Sequence, residues 1–158
     1  MRNNHNLKYY NYDIVFQEVP DEVALAINIT NCPHRCPGCH SPHLQEDIGP
    51  VLNEESLSEL VDKYAGEISC VCFMGGDANP LAVEALAKFT KQVKKIKTAW
   101  YSGSESIPED MNYKVFDYIK IGPYIEKYGG LKSKTTNQIY YQILPSGEKK
   151  KINNRFWK

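Results

Sequence analysis

Between residues 68 and 121 the chain carries three short apolar runs, and each one stops at a glycine. Residues 68–74 end at Gly75-Gly76, residues 98–101 at Ser102-Gly103, and residues 115–121 at Gly122-Pro123. The first run is nearly continuous in apolar residues and suits a strand covered on both faces. Helical spacing separates the runs. Leu57, Leu60, Val61 and Tyr64 recur over residues 53–63, with Asn53 or Ser56 as cap and Gly66 as stop. Asn79-Pro80 starts a second helix, whose expected inner stripe is Leu81, Ala85, Leu86, Phe89, Val93 and Ile96. Strand–helix–strand order of this kind means parallel βαβ units joined by right-handed crossovers. The expected fold is therefore α/β, an open sheet or partial barrel; a full eight-unit barrel needs ~250 residues, and the chain has 158.

The flanking segments read differently. Residues 13–19 and 23–30 are expected strands joined by a turn at 20–22, and residues 139–144 and 149–152 flank Pro145-Ser146-Gly147 as a terminal hairpin. The whole chain, 1–158, reads as one domain, with its core at about 9–140 and the hairpin and tail at 139–158. Lysine plus arginine and aspartate plus glutamate both total 19, so the formal net charge is zero. That balance argues against a dedicated nucleic-acid binder. No apolar run approaches the ~20 residues of a membrane span, and the N-terminus lacks a secretory pattern. A cytoplasmic protein is expected.

Three of the five cysteines lie within eight residues, in Cys32-Pro33-His34-Arg35-Cys36-Pro37-Gly38-Cys39-His40. Prolines 33, 37 and 42 keep this segment irregular, as a loop leaving the first core strand. Thiolates are soft ligands for zinc, copper(I) or iron–sulfur clusters. A zinc-stabilised interaction domain would complete a Cys3His set with His34, His40 or His43. A [4Fe–4S] cluster held by three thiolates would instead leave one iron open to a further ligand. The residues alone leave both possibilities standing. Cys70 and Cys72 alternate on an apolar strand and read as core.

Gly75-Gly76-Asp77 admits two readings. One is a tight strand-to-helix turn. The other is an ammonium site, in which exposed glycine carbonyls and the Asp77 carboxylate accept hydrogen bonds. A phosphate cradle is disfavoured by the Asp77 charge. Carboxyl ends of parallel strands are where such sheets bind ligands, so the cysteine loop, the diglycine and Ser102-Gly103 are expected to face one crevice.

Together these residues resemble the radical S-adenosylmethionine enzymes, whose signature is C-x3-C-x2-C with a diglycine and carboxylate after the second strand. Within that superfamily the chain is most similar to the activating enzymes of glycyl-radical proteins, and specifically to the activators of anaerobic ribonucleoside-triphosphate reductases. The stretches that carry this are Tyr9-Tyr10-Asn11-Tyr12-Asp13-Ile14-Val15, Gly129-Gly130-Leu131 and Thr136-Asn137-Gln138. The resemblance implies that Cys32, Cys36 and Cys39 hold a [4Fe–4S] cluster and that S-adenosylmethionine chelates the fourth iron. It places Gly75, Gly76 and Asp77 at the cofactor's amino group and Gly38, Cys39 and His40 near its adenine. Ser102 and Lys120 are candidate ribose or carboxylate contacts. It further implies reductive cleavage to a 5′-deoxyadenosyl radical, which takes hydrogen from a glycine of the large reductase subunit. An electron donor such as flavodoxin is implied, with no nucleic acid or membrane partner. Other radical targets within the resemblance are another glycyl-radical protein or a small molecule.

The chain departs from the pattern at three points. His40 stands where an aromatic residue is usual. Gly76-Asp77-Ala78-Asn79-Pro80 replaces a shorter glycine-glutamate-proline ending. The chain is also shorter than the usual six-unit core, so the partner protein is expected to act as a lid. Lys88, Lys91, Lys94, Lys95 and Lys97 read as a solvated helix face, residues 149–158 as a solvated tail, and Trp100 as core.

Overall fold

A computed structural model describes residues 7–16, 18–19, 21–30 and 49–156 of the chain. Its strands are β1 (Leu7–Val15), β2 (Ala24–Ile29), β3 (Val51–Leu52), β4 (Cys70–Met74), β5 (Lys97–Tyr101), β6 (Tyr118–Ile121), β7 (Ile139–Ile143) and β8 (Lys149–Lys151). They form one eight-stranded sheet in the order β3-β1-β2-β4-β5-β6-β7-β8. β2, β4, β5 and β6 are parallel neighbours, with Ala26 opposite Cys72, Cys72 opposite Ala99, and Ala99 opposite Tyr118. Antiparallel pairs flank them, β1 and β3 on one side and β7 and β8 on the other. The fold is thus mixed α/β, and the sheet is not closed. Four parallel strands are too few to curl into a ring, and antiparallel hairpins take up the flanks.

Helix α1 (Glu54–Lys63) starts where Asn53 Oδ1 accepts from Ser56 N at 2.9 Å and Ser56 Oγ accepts from Asn53 N at 2.9 Å. This reciprocal cap satisfies two end groups at once. Helix α2 (Pro80–Phe89) is capped by Asn79 and runs into a π-helical turn, Thr90–Lys94. Its buried face matches the expected stripe in part: Leu86 is buried, and Phe89 and Ile96 pack against the core. Val83, Leu86, Ala87 and Thr90 are buried, whereas Leu81 is 49% and Val93 59% exposed. Val83 helps set that face, because it packs against the Gly76 turn that joins β4 to α2. Bulk alone was a poor guide to orientation.

β1 also begins earlier than the expected strand over 13–19. Its first half alternates polar and tyrosine positions that remain partly exposed, so it lacks an apolar signature. Val19, at the other end of that prediction, is fully buried outside the strand. The lysines of the α2 region are more engaged than a solvated face: Lys91 pairs with Asp117, Lys94 with Asp62 and Lys97 with Glu22. The tail is likewise held, by Arg155 paired with Asp21 and Phe156 packed on Tyr140; Trp157 lies outside the described residues.

The two faces of the sheet are unlike. Leu25, Ile27, Ile29, Val71, Phe73, Trp100 and Ile119 point to the helices and form the larger core. The opposite face carries small side chains, Ala24, Ala26, Cys70, Cys72 and Ala99, with Tyr118 and Tyr140. Both cysteines are fully buried there, as core. No helix among the described residues is long and apolar enough to cross a membrane.

One carboxylate ties the amino ends of all four parallel strands. Glu22, just before β2, accepts from Ser69 Oγ at 2.6 Å, Lys97 Nζ at 3.0 Å and Tyr118 OH at 2.9 Å. Those donors stand at the starts of β4, β5 and β6. Burial pushes the Glu22 carboxyl up, but the three hydrogen bonds and the Lys97 charge together hold it below its ordinary 4.5. The folded state therefore binds this proton more weakly than the unfolded chain. The stabilisation is complete above about 4.5 and is lost as pH falls through the folded value. Glu22→Gln is expected to lower the urea midpoint at pH 7 and to flatten its decline between about pH 5 and 3. An unchanged acid slope in the variant would show that other carboxylates govern it.

Candidate functional site

The carboxyl ends of the parallel strands share one rim, and the diglycine sits in its middle. Gly75 (φ +106) and Gly76 (φ +86) both lie in the left-handed region, where a side chain costs ~1–2 kcal/mol. A Cβ on Gly75 would lie 3.1 Å from the Ile29 carbonyl oxygen, and one on Gly76 would meet Val83 Cγ2 at 2.4 Å. The glycines therefore let β4 turn into α2 while pressed against the end of β2. Three residues beyond Ile29 comes Cys32. The chain thus enters the cysteine segment from beside the diglycine. Cys32, Cys36, Cys39, Gly38 and His40 themselves lie outside the described residues.

Asp77 is bound into the rim. Its Oδ1 accepts from Ser102 Oγ at 2.5 Å and its Oδ2 from the Gly103 N–H at 2.9 Å. Ser102 Oγ also accepts from Ser104 N at 3.0 Å, and Ser102 is fully buried. The carboxylate therefore clasps the ends of β4 and β5. The glycine carbonyls, expected as exposed acceptors, are engaged as well. Gly75 O accepts from Trp100 Nε1 at 2.7 Å and Gly76 O from Asn79 N at 3.0 Å. The tight-turn reading thus accounts for these contacts by itself. Each oxygen keeps a second lone pair for another donor.

This arrangement gives Asp77 a measurable structural role. Asp77→Ala is expected to cost about 1–3 kcal/mol, because a buried serine hydroxyl and a backbone N–H lose their acceptor. Asp77→Asn keeps one acceptor and should cost less. Thermal melts of the two variants check this ranking, and equal melting for all three chains would remove the clasp.

Of the remaining expected contacts, Lys120 stands on β6 with Nζ 3.4 Å from Gly122 O and 6.0 Å from the Tyr101 ring centroid. The structure thus brings together Gly75, Gly76, Asp77 and Ser102, with Lys120 one strand away. Sequence reading passed over the neighbouring aromatic wall. Tyr101 closes β5 and its hydroxyl donates to or accepts from Tyr140 OH at 3.1 Å. The adjacent Ser102 was the available signal, since a residue beside a strand-end break shares its rim.

No group of metal-binding side chains occurs among the described residues, and the cysteine segment lies outside them. Three thiolates are a soft donor set suited to an iron–sulfur cluster. No curated protein and no solved structure matches the chain. A family model described as a 4Fe-4S single cluster domain matches residues 23–120, more than half of the chain, with the cysteine segment inside it. The match favours iron–sulfur binding over zinc. The chain belongs to the 4Fe-4S single cluster domain family.

Proposed function

We propose that this iron–sulfur protein is a radical S-adenosylmethionine enzyme that installs a glycyl radical on the large subunit of an anaerobic ribonucleoside-triphosphate reductase. The observation that carries the reading is the seating of Gly75 against Ile29, which sets a diglycine and a carboxylate beside the strand leading to C-x3-C-x2-C. Cys32, Cys36 and Cys39 would hold three irons and leave the fourth without a protein ligand. Gly75 and Gly76 offer the second lone pairs of their carbonyls to an ammonium group, beside the Asp77 carboxylate. Ser102 holds Asp77 in place rather than contacting the ligand first. Gly38, Cys39 and His40 would stand near the adenine. When bound, the cluster and S-adenosylmethionine supply one-electron reductive cleavage and a radical able to take hydrogen from a glycine. The chain's own contribution is position and exclusion of water, with the reductase as lid and a donor such as flavodoxin as the electron source.

The test uses the chain reconstituted anaerobically with iron and sulfide. With dithionite and S-adenosylmethionine it is expected to release methionine and 5′-deoxyadenosine. With the reductase subunit added, electron paramagnetic resonance is expected to show a glycine-centred doublet. No cleavage would overturn the radical reading. Cleavage without a doublet would redirect it to another glycyl-radical protein or a small molecule.

A further inference from the structure

The turn after β4 contains one peptide unit with no side chain on either side of it, that between Gly75 and Gly76. The units flanking it are anchored by main-chain bonds. Gly75 N donates to Tyr101 O at 2.9 Å, and Gly76 O accepts from Asn79 N at 3.0 Å. The central unit is held by a side chain instead: Trp100 Nε1 donates to Gly75 O at 2.7 Å. With no Cβ at either residue, this plane can turn over at little steric cost, because glycine adopts positive and negative φ about equally readily. Turning it over would put the Gly76 N–H where the Gly75 oxygen stands. An acceptor would become a donor.

Trp100 is itself rigidly placed. Its side chain is fully buried, and its ring stacks on the buried Phe116, with centroids 5.7 Å apart and planes 21° from parallel. The pairing of β4 with β5 sets Trp100 opposite Phe73, two residues before the turn, and the indole reaches from there to Gly75. A buried indole N–H takes a hydrogen-bond partner, and here the partner is the one carbonyl that no main-chain neighbour holds. Packing alone would be served at this position by any large apolar ring. The N–H is what ties the core to the orientation of the rim.

We propose that Trp100 is a positioning residue that fixes the Gly75–Gly76 peptide plane, so that an oxygen and not an N–H meets the amino group of a ligand on the rim. The inference rests on the amino contact of the diglycine proposed above. One lone pair of the Gly75 oxygen takes the indole N–H, and the second accepts from the ligand. A turned plane would set the Gly76 N–H against the N–H groups of the ligand, donor against donor. It would suit an anion instead, as backbone N–H groups in glycine turns do. The choice between amine and anion thus lies with a core side chain that acts through Gly75 and does not touch the ligand.

Calorimetric titration of the anaerobically reconstituted chain with S-adenosylmethionine and with its desamino counterpart tests this. The unchanged chain is expected to bind S-adenosylmethionine about tenfold or more tightly than the desamino compound. Trp100→Phe should weaken S-adenosylmethionine about tenfold while leaving the desamino compound within about twofold. Circular dichroism and iron content establish that the variant is folded and loaded. Should Trp100→Phe fail to fold, benzothienylalanine in place of Trp100, which keeps the ring size and lacks the N–H, carries the same test. Equal weakening of both compounds, or of neither, would overturn the positioning role and leave the amino contact standing. Equal affinity of the unchanged chain for the two compounds, or no binding of either, would overturn the amino contact and this inference with it.

Discussion

Cys36→Ala, purified and reconstituted without oxygen, is expected to emerge colourless, where the unchanged chain is expected to be brown, with about four irons per molecule and absorption near ~400 nm. In the proposed ligand set three thiolates would hold three corners of the cluster, and with one removed the remaining two would not retain it. Cys70 and Cys72 offer no replacement. Both are fully buried on the sheet face opposite the helices, and burial pushes both thiols up, so they stay protonated. A protonated thiol is a poor metal ligand. Cys70→Ala should therefore keep its iron and its colour while losing ~1 kcal/mol of stability from the core. Iron and sulfide analysis of the two variants decides the matter. Equal loss in both would show that the ligand set is misassigned, and stoichiometric zinc without sulfide would replace the cluster altogether.

Gly76→Ala is expected to destabilise the fold by about 2–5 kcal/mol. Two costs combine. The left-handed backbone (φ +86) penalises any side chain by ~1–2 kcal/mol, and the new Cβ would overlap Val83 Cγ2 at 2.4 Å. Relieving that overlap moves α2 off the sheet, and such overpacking typically costs ~1–3 kcal/mol. A double variant separates the two. Val83→Ala removes the offending methyl, so adding it to Gly76→Ala should cost less than Val83→Ala alone does. Additive urea-derived stabilities would show that α2 does not press on this turn, and that the glycine is needed for its conformation only.

Much of this architecture was legible residue by residue. The Asn53–Ser56 cap, the Asn79-Pro80 start and the glycine that closes each central strand are local signals, because capping and positive φ depend on atoms only a few positions away. The parallel central sheet follows from the order of those elements. The orientation of α2 was legible only in part: Leu86, Phe89 and Ile96 face the core as expected, but Val83, which packs against the Gly76 turn, and the small Ala87 and Thr90 are buried where Leu81, Ala85 and Val93 were expected. The opening strand was hidden for a related reason: its polar and aromatic side chains gain partners from distant elements, Asn11 Oδ1 from Asn28 Nδ2 at 2.6 Å and Tyr12 OH from Lys63 Nζ at 3.3 Å.

The sequence by itself determined the donor chemistry, since C-x3-C-x2-C fixes three sulfurs within one loop whatever surrounds them. It also determined the glycine turns, whose conformations no other residue adopts cheaply. Only the tertiary structure decided which groups meet. Glu22 gathers donors from Ser69, Lys97 and Tyr118, up to 96 residues away in the chain, and Asp77 proves to be held by Ser102 and Gly103 as much as offered to a ligand. Contacts between such distant residues arise when strands pair in register, and a linear pattern carries no record of that register until the sheet has formed.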